Sequence, residues 1–431
     1  MILEFKVENY RSFKTEQILS FEATSDNNLE EYYINRIGKH RLLKTAMLYG
    51  ANASGKTNLL LALDFLRKII LTPRIDKSEE TGHIPFLFDE NCKKRPGNFE
   101  ITFFMNDIKY NYKIELDKNI IYNEELSYYL TSRPALIYKR TYNEERNISV
   151  LKKGSKINLS KNEHFKLEAN LINNTSVLAA YDRTNVEFKE LEIITDYFKN
   201  GLLPIIKTDT DLFHYAYNKL EKNQNKKYKD FIIDLLHKAD LNIDNIEAEK
   251  EKIIIDEKLH EMIKTSPLPG ELKEEVLNKE NLEANQLYFN HIINDSGSDE
   301  RIPYYLESAG TLRMFEIAAP LYELIYNRFL LTIDEIERSL HPDLIIFIFE
   351  LFLQNSNYSQ LVFTTQNLSL LEERDILRKD TIWFAEKDKS GATELYSLSD
   401  FDIRKELSYI NAYKAGKFGA TPILGSTFLD K

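Results

Sequence analysis

Thr45-Ala46-Met47-Leu48-Tyr49-Gly50-Ala51-Asn52-Ala53-Ser54-Gly55-Lys56-Thr57 is the stretch that decides the fold. Thr45–Tyr49 is a short, mostly apolar run of the kind a buried parallel strand shows, and Gly50 ends it. From Thr57 the period changes: Leu59, Leu60, Leu63, Leu66, Ile69 and Ile70 recur at helical spacing. The segment Gly50–Lys56 therefore joins a strand to a helix. Its pattern, Gly50-x-x-x-x-Gly55-Lys56-Thr57, is that of a phosphate-cradling loop. Backbone N–H groups surround the anion, Lys56 reaches terminal phosphate oxygens, and the Thr57 hydroxyl ligates magnesium. Glycine is needed where the chain wraps the anion with positive φ. Four fixed residues at this spacing arise by chance in on the order of one chain in a hundred, and the flanking strand and helix lower that further.

Outward from the loop, residues 2–8 read as a strand, Asn9–Lys14 as a turn, and 17–23 as a second strand. Between about 98 and 160 the text is β-like: Phe99–Phe104, Tyr110–Leu116, Ile120–Tyr122 and Ala135–Tyr138, separated by Asn, Asp and Lys turns. Helical periodicity returns over 165–240. Residues 244–284 are dense in charge, contain Pro267-Leu268-Pro269-Gly270 and show little apolar period, which predicts a flexible or lid segment. The C-terminal part alternates again: helix Leu312–Asn327, strand Phe329–Ile333, helix Pro342–Gln354, strand Gln360–Thr364, strand Thr381–Ala385. The expectation is an α/β protein whose sheet is assembled from both ends of the chain. Its parts are an N-terminal half at 1–90, an antiparallel β lobe at 91–165, a helical or lid insertion at 166–300, and a C-terminal half at 301–431. No repeat and no sustained heptads occur.

With 431 residues the chain exceeds one comfortable core. Its net charge of −11 excludes a surface that coats nucleic acid indiscriminately. One cysteine, Cys92, forms no internal disulfide. The start alternates like a strand and lacks a signal-peptide pattern, and no stretch approaches the roughly 20 apolar residues that cross a bilayer. A cytoplasmic protein without membrane contact is expected.

Two further motifs carry chemistry. Phe329-Leu330-Leu331-Thr332-Ile333-Asp334-Glu335 is an apolar strand ending in two carboxylates. Beside a phosphate loop, Asp334 is placed to hold Mg²⁺ and Glu335 to orient or deprotonate the attacking water. Taken without the loop, two acids after a strand are a solvated turn. Leu306-Glu307-Ser308-Ala309-Gly310-Thr311 opens a helix, where a serine and free N–H groups suit an anion; Ser308 equally suits a plain N-cap.

Asn9-Tyr10-Arg11-Ser12-Phe13, Gly50–Thr57, Glu307–Thr311, Asp334-Glu335-Ile336-Glu337 with Leu340-His341-Pro342, and Tyr413-x-x-Gly416-x-Phe418-Gly419-Ala420-x-Pro422 together resemble an ABC-class ATPase of the SMC, Rad50 and RecF type. Within that class the chain looks like the AAA15 or AbiL abortive-infection group. The resemblance implies an ABC-type P-loop head, a mixed sheet with an antiparallel β lobe and an inserted, mainly helical lid, without the long coiled coil of SMC proteins. It implies ATP and Mg²⁺, with nucleotide held by Gly50, Ala51, Asn52, Ala53, Ser54, Gly55, Lys56, Thr57 and Asn58. It also implies a head-to-head homodimer, or a higher oligomer, in which Ser308 and Gly310 of one protomer meet the γ-phosphate held by Lys56 of the other. Arg11 contacts nucleotide by the same resemblance, or merely braces the lobe. The function implied is an ATP-gated dimeric switch in antiphage defence, acting with a separate nuclease- or toxin-like effector. A RecF-like DNA-repair ATPase is the alternative, and a non-hydrolysing nucleotide scaffold a third.

Two departures stand out. Where a switch histidine is common, the text is Thr364-Thr365-Gln366-Asn367, and Gln366 hydrogen-bonds without carrying charge, which predicts slow turnover. No clear glutamine loop is present; Asp89 is the candidate for that place. Finally, residues 133–166 hold nine Lys/Arg against three Glu, with Tyr138 and Tyr142 interleaved. This is either a nucleic-acid or acidic-partner surface or a solvated β edge guarded by lysines.

Overall fold

The computed structural model describes residues 1–222, 226–254, 256–266, 270–277, 281–292, 299–403 and 407–422. Strand Thr45–Tyr49 is buried at every position, as is Gln360–Thr364; the two lie side by side in a five-stranded sheet. The order across it is Leu330–Ile333, Gln360–Thr364, Thr45–Tyr49, Ile382–Lys387, Thr393–Ser397. The first four strands run parallel and the last is antiparallel. A strand from near the N-terminus thus sits between strands from the far end of the chain. Helix Lys56–Leu71 leaves the central strand and buries Leu59, Leu60, Leu63, Leu66, Ile69 and Ile70, the positions whose spacing predicted it.

A second sheet is wholly antiparallel. Its seven strands are ordered Ile148–Lys153, Ala135–Asn143, Ile121–Tyr129, Ile108–Leu116, Gly97–Met105, Ile2–Glu8, Gln17–Ser20. Alternation sends Phe5, Val7, Phe99, Ile101, Phe103, Tyr112, Ile114 and Leu126 inward. On the opposite face one row of partners runs Lys6, Glu100, Lys113, Glu125, Lys139 across five strands. Charges alternate along that row, and Lys113–Glu100 and Lys139–Glu125 pair at 3.2 Å each. Opposite charges facing each other across strands stabilise a solvated sheet.

The basic stretch 133–166 is corrected here in two members. Arg140 is fully buried, and Tyr138 with it, so neither belongs to a surface. Arg140 Nη2 donates to Ser149 Oγ (2.8 Å) and to the carbonyls of Asn173 (2.8 Å) and Ile172 (3.1 Å). Its charge is countered by Glu124, which accepts from the Tyr138 and Tyr112 hydroxyls and from the Val177 amide. Burial pushes the Arg140 guanidinium down to about 10 and the Glu124 carboxyl up, and the attraction between the pair opposes both shifts.

The chain divides into two compact units. One comprises Met1–Thr210, Glu323–Arg338 and Ile345–Lys431; it contains both sheets just described. The other comprises Asp211–Tyr322 and Ser339–Leu344. In the latter, residues 244–284, expected to form a flexible or lid segment, carry regular structure among the described residues. Strand Ile243–Ile254 pairs antiparallel with Asn281–Ile292, and Asp299–Pro303 joins as a third strand. Helices Glu257–Thr265 and Gly270–Leu277 lie between the long strands; Pro267-Leu268-Pro269 falls outside the described residues. The period was present but diluted by charge. Ile243, Ile246, Leu287 and Phe289 are buried, while Glu247 and Glu249 take ion pairs from Arg301 (3.3 and 2.6 Å), whose guanidinium lies 3.7 Å from the centroid of the Tyr288 ring. Cross-strand pairing, not solvation of a loop, absorbs those charges.

Candidate functional site

The turn after Tyr49 is shaped by three left-handed residues: Gly50 (φ 154°), Ala53 (φ 61°) and Gly55 (φ 107°). Glycine is obligatory at two of them on space as well as conformation. A Cβ on Gly50 would lie 2.3 Å from the Ala385 carbonyl oxygen, and one on Gly55 would lie 2.1 Å from Thr393 Oγ1. Gly55 also heads helix Lys56–Leu71, and no side chain caps that end. The helix N-terminus therefore presents free N–H groups and the positive end of its dipole to the inside of the loop.

Lys56 folds back over the loop: its Nζ donates to the carbonyls of Gly50 (2.8 Å) and Ala51 (3.1 Å). Burial pushes its pKa below the usual lysine value, against the opposing charges of Glu335, Asp334 and Glu337. Ser54 Oγ is buried and takes no hydrogen bond among the described residues.

The acidic strand end meets the loop directly. Thr57 Oγ1 lies 2.9 and 3.0 Å from the two carboxylate oxygens of Asp334 and donates to that group. Asp334 is only 7% exposed. Its Oδ1 also accepts from Thr364 Oγ1 at 2.7 Å, and the same Thr364 oxygen accepts from the Glu335 amide at 2.8 Å. That bond holds Glu335 in the left-handed region, at φ 50°, a conformation costing a non-glycine residue about 1 kcal/mol or more. Gln366 Nε2 then donates to Glu335 Oε1 at 2.9 Å. Lys56, Thr57, Asp334, Glu335 and Gln366, predicted from three separate stretches, are brought together in one unit.

The remaining candidates are placed otherwise. Asn58 Nδ2 donates to Ser12 Oγ (2.8 Å), which is bonded to Thr393 Oγ1 (2.8 Å); Thr393 Oγ1 also donates to the Ser54 carbonyl (2.8 Å). This chain of hydroxyls ties the phosphate loop to the turn after the first strand and to the last, antiparallel strand of the five-stranded sheet. Arg11 is left-handed (φ 51°), and its Nε donates to the Tyr10 hydroxyl at 3.2 Å. Asp89 accepts from the Asn91 amide as the N-cap of the short helix Glu90–Lys94, and pairs with Lys14 at 2.8 Å, a structural task. Ser308 and Gly310 belong to the second unit. There Ser308 Oγ accepts from the Thr311 amide at 3.0 Å, at the start of helix Ala309–Tyr326.

Ser12, Thr364, Thr393 and Glu337 were not singled out by sequence. Thr364 closes an apolar strand and reads there as one more β-branched residue. Ser12 was quoted within the Asn9–Phe13 motif without a role of its own, and Thr393 carries no local pattern, because their partner is each other across the fold.

A family model described as "AAA domain, putative AbiEii toxin, Type IV TA system" matches residues 46–372, well over half of the chain. The chain belongs to this AAA-domain family. The match begins at the strand that carries the phosphate loop and runs past Gln366, so it contains every residue of the Thr57–Asp334–Glu335–Gln366 constellation. Among curated proteins no sequence matches. Among solved structures the chain is similar to the "SMC head domain from Thermotoga maritima", at 12% identity over 92% of this chain and 98% of that one, with a TM-score of 0.39. It is also similar to an SmcHead bound to the C-winged helix domain of ScpA, at 13% identity, 92% and 97% coverage and a TM-score of 0.41. A third is the Smc head domain with an extended coiled coil bound to the C-terminal domain of ScpA derived from Pyrococcus furiosus, at 11% identity, 97% and 98% coverage and 0.38.

The residues present fit Mg²⁺ and a nucleotide phosphate. The Thr57 hydroxyl and the Asp334 carboxylate are hard oxygen donors already in contact, and Ser54 supplies a buried hydroxyl with no hydrogen-bond partner among the described residues. Among the described residues no group of three or more His, Cys, Asp or Glu side chains is placed to hold a metal. Among the described residues, too, no helix is long and apolar enough to cross a membrane.

Proposed function

We propose that this AAA-domain protein binds and hydrolyses ATP as a nucleotide-gated dimeric switch in antiphage defence, acting on a separate effector protein. The observation that carries the enzymatic part is the Thr57–Asp334 contact with Glu335 and Gln366 beside it. Gly50 to Asn58 hold the phosphates, with Lys56 exchanging its carbonyl partners for phosphate oxygens. Thr57 and Asp334 hold Mg²⁺, which when bound neutralises phosphate charge. Glu335 takes the proton of the attacking water, and Gln366 orients that carboxylate. With a neutral amide in place of an imidazole beside the base, turnover is slow. Ser308 and Gly310, at the start of a helix, are the surface that a second protomer offers to the nucleotide. Arg11 has its hydrogen bond to Tyr10 and serves the lobe.

The family description, naming a type IV toxin–antitoxin system, supports a role of the toxin–antitoxin or abortive-infection kind. Burial of Arg140 and Tyr138 weakens the case for a DNA-loading role through residues 133–166. The test is ATP turnover and light-scattering mass, with and without Mg-ATP, for the wild type, Lys56→Ala and Glu335→Gln. Lys56→Ala should lose both turnover and nucleotide-driven association. Glu335→Gln should lose turnover by about a hundredfold or more and retain a longer-lived ATP-bound dimer. If Glu335→Gln changes neither property, the catalytic assignment is wrong. Copurification of products of adjacent genes, with and without ATP, tests the effector.

A further inference from the structure

Glu337 stands outside the roles assigned so far, yet its placement is specific. In Asp334-Glu335-Ile336-Glu337 the isoleucine is fully buried and its amide donates to the Thr364 carbonyl at 3.2 Å. With Ile336 anchored inward, Glu335 and Glu337 both turn to the segment that follows strand Gln360–Thr364. Glu337 Oε1 accepts from the backbone amide of Gln366 at 2.7 Å, and Gln366 Nε2 donates to Glu335 Oε1 at 2.9 Å. The two acids therefore grip one residue at two points, its backbone and its carboxamide. Gln366 itself is exposed, and a glutamine side chain has rotamer freedom worth about 1.5–2 kcal/mol to restrain. The other oxygen of Glu337 is shut from solvent and takes no hydrogen bond among the described residues. Its charge also reaches Lys56, whose ammonium it favours along with Asp334 and Glu335.

We propose that Glu337 is the positioning residue of the hydrolytic site: it fixes the Gln366 backbone so that the Gln366 carboxamide aims the Glu335 carboxylate. This rests on the reading of Glu335 as the base. An anchored backbone fixes the point from which the carboxamide reaches Glu335, and holding the base in one orientation is worth rate without a new contact to substrate. The role needs an acceptor on Glu337, not its charge. That separates it from a further metal ligand or a second base.

The experiment compares Glu337→Ala, Glu337→Gln, Gln366→Ala and Glu337→Ala/Gln366→Ala in the full chain, by steady-state ATP turnover and by amide hydrogen exchange of the peptide containing Gln366. Glu337→Ala should lower kcat about tenfold with KM for ATP within about twofold. Glu337→Gln keeps a carbonyl acceptor and should recover most of the lost rate. The double variant should be no slower than Gln366→Ala, since both changes remove one device. The Gln366 amide should exchange about tenfold faster in Glu337→Ala and not in Glu337→Gln. Multiplicative losses in the double variant, equal damage from Gln and Ala at 337, or unaltered exchange at Gln366 would each overturn the proposal. Exchange needs no catalysis, so a wild type without turnover would sink the ATPase reading while the exchange result still decides whether Glu337 holds Gln366.

Discussion

Replacing Thr364 by valine removes one oxygen and almost no volume, and the structure says what that oxygen does. It donates to Asp334 Oδ1 at 2.7 Å and accepts from the Glu335 amide at 2.8 Å, at a residue with no solvent exposure. The first bond is to an ionised carboxylate, a class worth about 1.5–3 kcal/mol; the second loss leaves an amide without its partner, at about 1–3 kcal/mol. Asp334 keeps the Thr57 hydroxyl, and water reaches half-buried Glu335, so the two losses do not add fully. A net destabilisation of about 2–3 kcal/mol is expected. For the unit that holds Thr364, which is larger than 250 residues, each kcal/mol lowers Tm by about 1.5 °C, which gives a drop of roughly 3–5 °C. The assay is calorimetry of wild type, Thr364→Val and Thr364→Ser; the serine keeps the hydroxyl and should fall much less. Stabilisation of the fold by Mg-ATP should also shrink in Thr364→Val, because the carboxylate that holds the cation has lost its brace. A valine variant melting within about 1 °C of wild type would show that Thr364 does not organise the acidic strand end.

Gly55→Ala should lose at least tenfold in ATP affinity, measured with a fluorescent nucleotide, because a Cβ 2.1 Å from Thr393 Oγ1 at φ 107° forces the loop open. Arg140→Leu leaves Glu124 buried and uncompensated and should cost about 3–5 kcal/mol in denaturant unfolding; adding Glu124→Gln should recover a large part of it. Lys44, buried with Nζ on the carbonyls of Ser356 (2.7 Å) and Leu353 (3.1 Å), has its pKa lowered by burial to about 8. Above that pH the unfolded chain binds the extra proton, so this group adds stability as pH rises from about 8 toward the ordinary lysine value. The Tm of wild type relative to Lys44→Met should accordingly rise between pH 7.5 and 9.5.

The phosphate loop and the parallel sheet around it were legible in the chain because their signals are local. A strand buried on both faces must be apolar throughout, a helix must repeat its apolar positions, and the turn between them must carry glycine where a Cβ has no room. Thr45–Tyr49, Gln360–Thr364 and helix Lys56–Leu71 follow from those needs alone. The hairpin partner Ile243–Ile254 did not, since its exposed face carries glutamates whose counter-ion, Arg301, lies about fifty residues on and becomes visible only when the strands pair. Residues 133–166 failed in the opposite sense: a tally of positive charge cannot tell Lys139, on the solvated row, from Arg140, which alternation turns into the core against Glu124. The same limit governs the site. Sequence specified Lys56, Thr57, Asp334 and Glu335 by motif, and the resemblance pointed to Gln366 as the residue after strand Gln360–Thr364 where a switch histidine is common. That Thr364 braces Asp334, that Ser12 and Thr393 tie down the loop at Ser54 and Asn58, and that Glu337 grips Gln366 were decided by tertiary structure. These are hydrogen bonds of about 3 Å between residues far apart in the chain, and no local spacing records them.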